Sequence, residues 1–132
     1  MFKFIKFNED VERRAEILGI DTIFYVGGIQ RFSGVTTEQL KALMDENFLD
    51  PKDAQNSSYT AKEFYDFMLE HPGVTAHGYA VSEARQDYRV TIEGMEGSFK
   101  TKDDLIDFIY FCRDANSLDI DKVELYAYSW WD

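Results

Sequence analysis

Two histidines, one cysteine and a C-terminal run of rings are the residues whose types could do chemistry in this chain. His77 stands two residues before Tyr79, and alternation along a strand puts both side chains on one face. An imidazole beside a phenol could act as a general acid/base pair, and a ligand pocket, if there is one, would form near His77, Tyr79 and the C-terminal aromatics. No nucleophile elbow, metal spacing or acid at a diagnostic offset accompanies them, so a structural or surface histidine is the favoured reading. No residue is assigned a catalytic role.

His71 comes just before Pro72-Gly73, where the C-terminal end of a helix favours a positive imidazolium. The two histidines lie across a helix stop and match no His-x3-His or HExxH pattern. Asp119-x-Asp121-x-x-Glu124 and Asp50-x-x-Asp53 lack the glycine and the bidentate glutamate of a calcium loop. No metal and no cofactor is indicated. Cys112 follows Leu105, Phe108 and Ile109 in helical spacing, which makes it a small core residue rather than a nucleophile.

Two features could bind a partner. In the strand ending the chain, Tyr126, Tyr128 and Trp130 fall on one face and Leu125 and Ala127 on the other. The expectation is burial of these rings under a helix; exposed, they would make a binding hot spot. In the helix from Lys102 to about Asn116, Asp103, Asp104, Asp107 and Asp114 share the outer side with Tyr110, and Phe111 lies at its border. Acids interleaved with rings suit a basic protein through steering and anchoring, although a solvated helix face carries the same pattern.

These residues need elements to hold them. The chain has 132 residues, the usual size of one domain, and its 16% aromatic content argues for a packed core. Helices are expected from Glu9 behind an Asn8 cap, from Thr37 to about Asn47, from Ala61 to His71 and from Lys102 to about Asn116. Thr36…Gln39 and Thr60…Glu63 are capping boxes, and Thr101…Asp104 is a weaker one. Thr22–Val26 and Ile29–Phe32, joined by Gly27-Gly28, read as a hairpin. Residues 74–82 and 87–93 read as a second hairpin. Gly94–Gly97 reads as a turn into a short strand, Ser98–Lys100, and Val123–Trp130 is the last strand. Met1–Phe7 carries Lys3 and Lys6 within its apolar run and reads as a strand rather than a signal peptide. Strands that arrive in hairpins favour an α+β domain spanning residues 1–132, a mostly antiparallel sheet with about four helices packed on it.

Charge sets the expected partners. The net charge is −11, and residues 32–72 and 101–132 each carry eight acids against three bases. Nucleic acid and anionic membrane surfaces are disfavoured, because phosphate contacts need clustered Lys and Arg. A single cysteine excludes an intrachain disulfide and suits the cytoplasm. The reading is a small acidic binding or regulatory module, not an enzyme, that docks a basic protein. The alternatives are a small ligand-binding or enzymatic domain with the pocket described above and a homodimer that uses the aromatic strand as its seam.

Overall fold

Side-chain caps start all four helices among the described residues. Asp10, Thr36, Thr60 and Thr101 each accept a hydrogen bond from the backbone N–H three residues on, which satisfies one of the donors a helix start leaves open. At Thr36 and Thr60 the box is complete, with Gln39 and Glu63 reaching back to the cap. The helices are α1 (Val11–Leu18), α2 (Thr37–Asp45), α3 (Ala61–Glu70) and α4 (Lys102–Phe111). The computed structural model describes residues 6–132.

The strands are β1 (Ile29–Val35), β2 (Val74–Val81), β3 (Val90–Ser98), β4 (Ser117–Asp121) and β5 (Tyr126–Trp130). They form one antiparallel sheet in the order β1-β2-β3-β5-β4. The helices cover one face of it. There Val74, Ala76, Ile92, Met95 and Ala127 meet Leu40, Leu43, Phe64, Met68, Phe108 and Trp131 in a continuous core. Phe64, Phe67 and Met68 recur at i, i+3 and i+4 along α3, which turns one apolar stripe inward. The chain is thus an α+β domain with a mostly antiparallel sheet.

Several local expectations are corrected. Helix α1 is capped by Asp10; Asn8 instead accepts from the Asp10 N–H and donates to the Glu46 carbonyl. Thr22–Val26 is not a strand. Only Val26 bridges to Ile29 across Gly27-Gly28, whose φ values of 62° and 80° are those of a primed turn. Ile23, Phe24 and Val26 stay exposed there, since strand propensity forms no strand without a partner to pair with.

Gly94–Gly97 is not a turn either, because β3 runs straight through it to Ser98. His77 pairs with Gly94 and Gly78 with Ile92, so Glu93 has no residue opposite and forms a bulge. The glycine is there for room: a Cβ on Gly94 would sit 2.0 Å from the Ser129 carbonyl oxygen. No separate strand forms at Ser98–Lys100.

Helix α4 stops at Phe111, and the chain makes β4 and a turn before β5 begins at Tyr126. Val123, expected to begin the last strand, lies in that turn at 89% exposure. The Met1–Phe7 expectation falls mainly on residues outside those described; Lys6 and Phe7 have no regular structure.

Candidate functional site

Alternation makes the other face of the sheet from the remaining residues of the same strands. Cross-strand pairing puts Arg31 beside Tyr79, Tyr79 beside Thr91, Glu96 beside both Thr75 and Tyr128, and Tyr128 beside Asp119. Among the described residues no helix packs here, because the helices join the core on the opposite side. The expected burial of Tyr126, Tyr128 and Trp130 under a helix is therefore corrected: the three rings stand half-buried in a row along β5.

Each ring is held in place. The Tyr126 hydroxyl donates to Glu96 Oε2 at 2.6 Å. Burial and this neighbouring carboxylate push the phenol up to about 12. Tyr128 stacks on the His77 imidazole, with centroids 4.6 Å apart and planes 4° from parallel. The Trp130 indole N–H donates to Glu93 Oε2 at 3.2 Å. Arg31, a largely exposed side chain, closes over the buried Glu93 carboxylate as an ion pair.

His77 and Tyr79 do not form a pair. The His77 ring lies across Gly94, and its Nε2 is 2.7 Å from the Ser129 carbonyl oxygen. A carbonyl only accepts, so Nε2 carries the proton. Burial holds this imidazole below its ordinary value, with the Ser129 bond opposing. The Tyr79 hydroxyl turns the other way, accepting from Arg89 Nη2 at 2.9 Å and donating to Gln55 Oε1 at 3.3 Å. Asp53 lies in the same loop as Gln55. Its Oδ2 is buried without a hydrogen-bond partner, and burial raises its carboxyl to about 6 despite the nearby Arg89 charge.

Around these side chains the surface is nearly flat. A hollow of about 360 Å³ lies among Arg31, Ser117, Asp119, Tyr128 and Trp130. It is wide and shallow, unlike the enclosed sites that bury most of a small ligand. In and beside it the chemistry is ordered: Asp119 and Asp121 of β4 are the cross-strand neighbours of Tyr128 and Tyr126, and Glu96 of β3 is the neighbour of Tyr128 on the other side. A row of rings thus runs between Asp119 and Asp121 on one side and Glu96 on the other. Asp121 caps the turn after β4 by accepting from the Val123 and Glu124 N–H groups. Among the described residues, neither Asp119 nor Asp121 has a cation within salt-bridge distance.

The other candidate residues lie elsewhere. Asp103, Asp107, Tyr110 and Asp114 are exposed on or just beyond α4, and Asp104 is half-buried. That helix packs through Leu105 and Phe108 on the covered side of the sheet, so these acids and the β5 rings face opposite directions. Phe111 is stacked between Tyr59 and Phe67, with centroids 3.9 and 4.3 Å away, and is part of the packing. Cys112 is fully buried, and burial pushes its thiol up to about 12. His71 belongs to the helical layer, at the end of α3.

Sequence reasoning missed Arg31, Glu93, Glu96 and Asp119 on the sheet face. Arg31 and Glu93 are 62 residues apart, and no spacing rule links them. Asp119 had a local signal, since Ser-Leu-Asp-Ile-Asp alternates as a strand does. Comparison with known protein families, with curated proteins and with solved structures gives no match to this chain. No helix among the described residues is long and apolar enough to cross a membrane.

Proposed function

We propose that this chain is a binding module whose uncovered sheet face docks the basic surface of a partner protein. One observation carries the reading: Tyr126, Tyr128 and Trp130 stand in a row between Glu96 on one side and Asp119 and Asp121 on the other. The rings supply contact area whose orientation is already fixed, so little side-chain entropy is lost on docking. The acids attract Lys and Arg and fix their register, which serves encounter rate and selectivity. A net charge of −11 adds long-range steering toward a cationic surface. The single cysteine, buried in the core, fits a protein that works in the cytoplasm.

The test is an amide and indole NMR titration with a peptide rich in Lys and Arg, with an acidic peptide of equal length as control. Resonances of β4, β5 and the Trp130 indole shift with the basic peptide alone, and the affinity falls steeply as salt passes about 0.15 M. Shifts confined to the outer side of α4, or no saturable shift, would overturn the reading. A mass that doubles with concentration and ignores salt would assign the same face to a second copy of the chain instead.

A further inference from the structure

We infer that His71, Asp104 and Asp107 form a zinc-binding site that ties the end of α3 to the first turns of α4. This site is on the helical layer and independent of the docking face. One ligand atom from each of the three side chains lies within 4.8 Å of the others.

The tautomer of His71 supports the inference. Nδ1 is 3.0 Å from the Phe67 carbonyl oxygen, which can only accept, so Nδ1 carries the proton. In the neutral ring Nε2 then presents a lone pair. That lone pair lies 3.5 Å from Asp107 Oδ2, an acceptor facing an acceptor. A proton on Nε2 would join them, but charge-assisted N–H···O bonds close to roughly 2.7–2.9 Å. Zinc bonds of about 2.0–2.1 Å set neighbouring ligand atoms of a tetrahedron roughly 3.3–3.4 Å apart. The His71–Asp107 separation is close to that edge, and the Asp104 ligand atom lies within 4.8 Å of both.

The surroundings are those of a metal ligand. The His71 side chain is only 12% exposed, its ring is stacked on Phe67 with centroids 4.1 Å apart, and its second nitrogen is anchored on a backbone carbonyl. This is the arrangement that fixes the tautomer and orientation of metal-bound histidines. Asp104 and Asp107 are three apart on α4 and so project from one side of it. One imidazole with two carboxylates selects zinc over magnesium or calcium, which prefer all-oxygen shells. Three protein ligands leave the fourth position to water.

The test is a titration of the full chain with zinc chloride against a chromophoric chelator, repeated with cobalt chloride to read coordination geometry. One equivalent of zinc binds, a chelator reverses it, and the cobalt form shows the intense visible bands of a tetrahedral site. Asp107→Asn, at an exposed position, keeps the fold by circular dichroism and weakens zinc binding by at least about tenfold, the lower end of what even outer-shell changes cost. His71→Gln does the same. Binding that is weak and non-stoichiometric, or that survives both substitutions, would mean scattered acidic sites and overturn the inference. An Nε2 found protonated by ¹⁵N NMR and not displaced by equimolar zinc would also overturn it. Binding of a basic peptide to β5 is unchanged by Asp107→Asn, so the two proposals stand or fall separately.

Discussion

On one face of the sheet Val74, Ala76, Met95 and Ala127 lie under helices; on the other, Thr75, His77, Glu96 and Tyr128, close neighbours along the same strands, meet none. The covered face is apolar and is held by burial, which has no direction and rewards shape alone. The uncovered face is polar and is held by directed bonds: Tyr126 to Glu96, Trp130 to Glu93, His77 to the Ser129 carbonyl. Directed bonds fix where the Tyr126 and Trp130 rings sit while leaving them half-exposed, although His77 and Glu93 behind them are buried. One face is therefore held by burial and the other by directed bonds, and substitutions should divide the same way.

The largest effect belongs to the covered face. Phe64 is fully buried, and its ring meets Tyr59 and Trp131 edge-on at 5.9 and 5.4 Å. Phe64→Ala should destabilise the chain by about 3–5 kcal/mol through lost burial and the cavity left behind, read from urea unfolding. A loss below about 1 kcal/mol would mean that this core is loosely packed and the contrast overdrawn.

Gly94 lies opposite His77, where β3 passes close to β5. A methyl there would stand 2.0 Å from the Ser129 oxygen and 2.9 Å from His77 Cε1. Gly94→Ala should therefore push β5 from β3 and lift the His77 ring, for a loss of roughly 2–3 kcal/mol. The His77 ring resonances should lose their ring-current shift from Tyr128. If stability falls while those resonances stay put, the ring does not depend on the close approach of the strands.

Titration gives a smaller effect, with opposite signs for two groups near the uncovered face. Asp53 is raised from 3.8 to about 6 in the folded chain. Its favourable contribution is complete below 3.8 and is lost as pH rises through 6. Asp53→Asn should then stabilise the chain at neutral pH by roughly 1–2 kcal/mol, the linkage value discounted for partial exposure, and by almost nothing in strong acid. His77 is lowered by burial. Its contribution is present above the ordinary value of 6.5 and is lost as pH falls through the lower folded value. Urea unfolding of wild type, Asp53→Asn and His77→Gln across pH separates the two, and an Asp53→Asn advantage that grows in acid would reverse the assignment.

What the sequence made legible divides along the same line. Caps and apolar stripes are local, so the residues of Thr36…Gln39 and Thr60…Glu63 announce their helices and Phe64, Phe67 and Met68 announce the buried side. The alternation of Tyr126, Tyr128 and Trp130 against Ala127 was equally plain. Which side the helices would choose was not, because the strand expected from Val123 to Trp130 set Leu125 and Ala127 on one side against the rings on the other, and only assembly decides between them. Gly94 misled for a related reason. Glycine marks turns and close approaches alike, and the Ser129 carbonyl that crowds it lies 35 positions away in the chain. His71 with Asp104 and Asp107 was invisible for the same cause, since two helices must dock before the three meet.

The smallest effect on stability is expected where the effect on binding is largest. Asp119 is exposed on the edge strand, and among the described residues its carboxylate has neither a hydrogen-bond partner nor a cation. Asp119→Lys should change stability by no more than about 0.5 kcal/mol, as surface substitutions away from special features do. It also keeps the edge charged and so guarded against strand addition. If the uncovered face recognises cations, the same change places a like charge beside Tyr128 and should abolish saturable binding of the basic peptide. The salt dependence of any residual binding should flatten too, because one fewer attraction is left to screen. Stability that falls with binding would mean Asp119 supports the sheet itself, and the division between a stabilising face and a recognising face would then fail at β4.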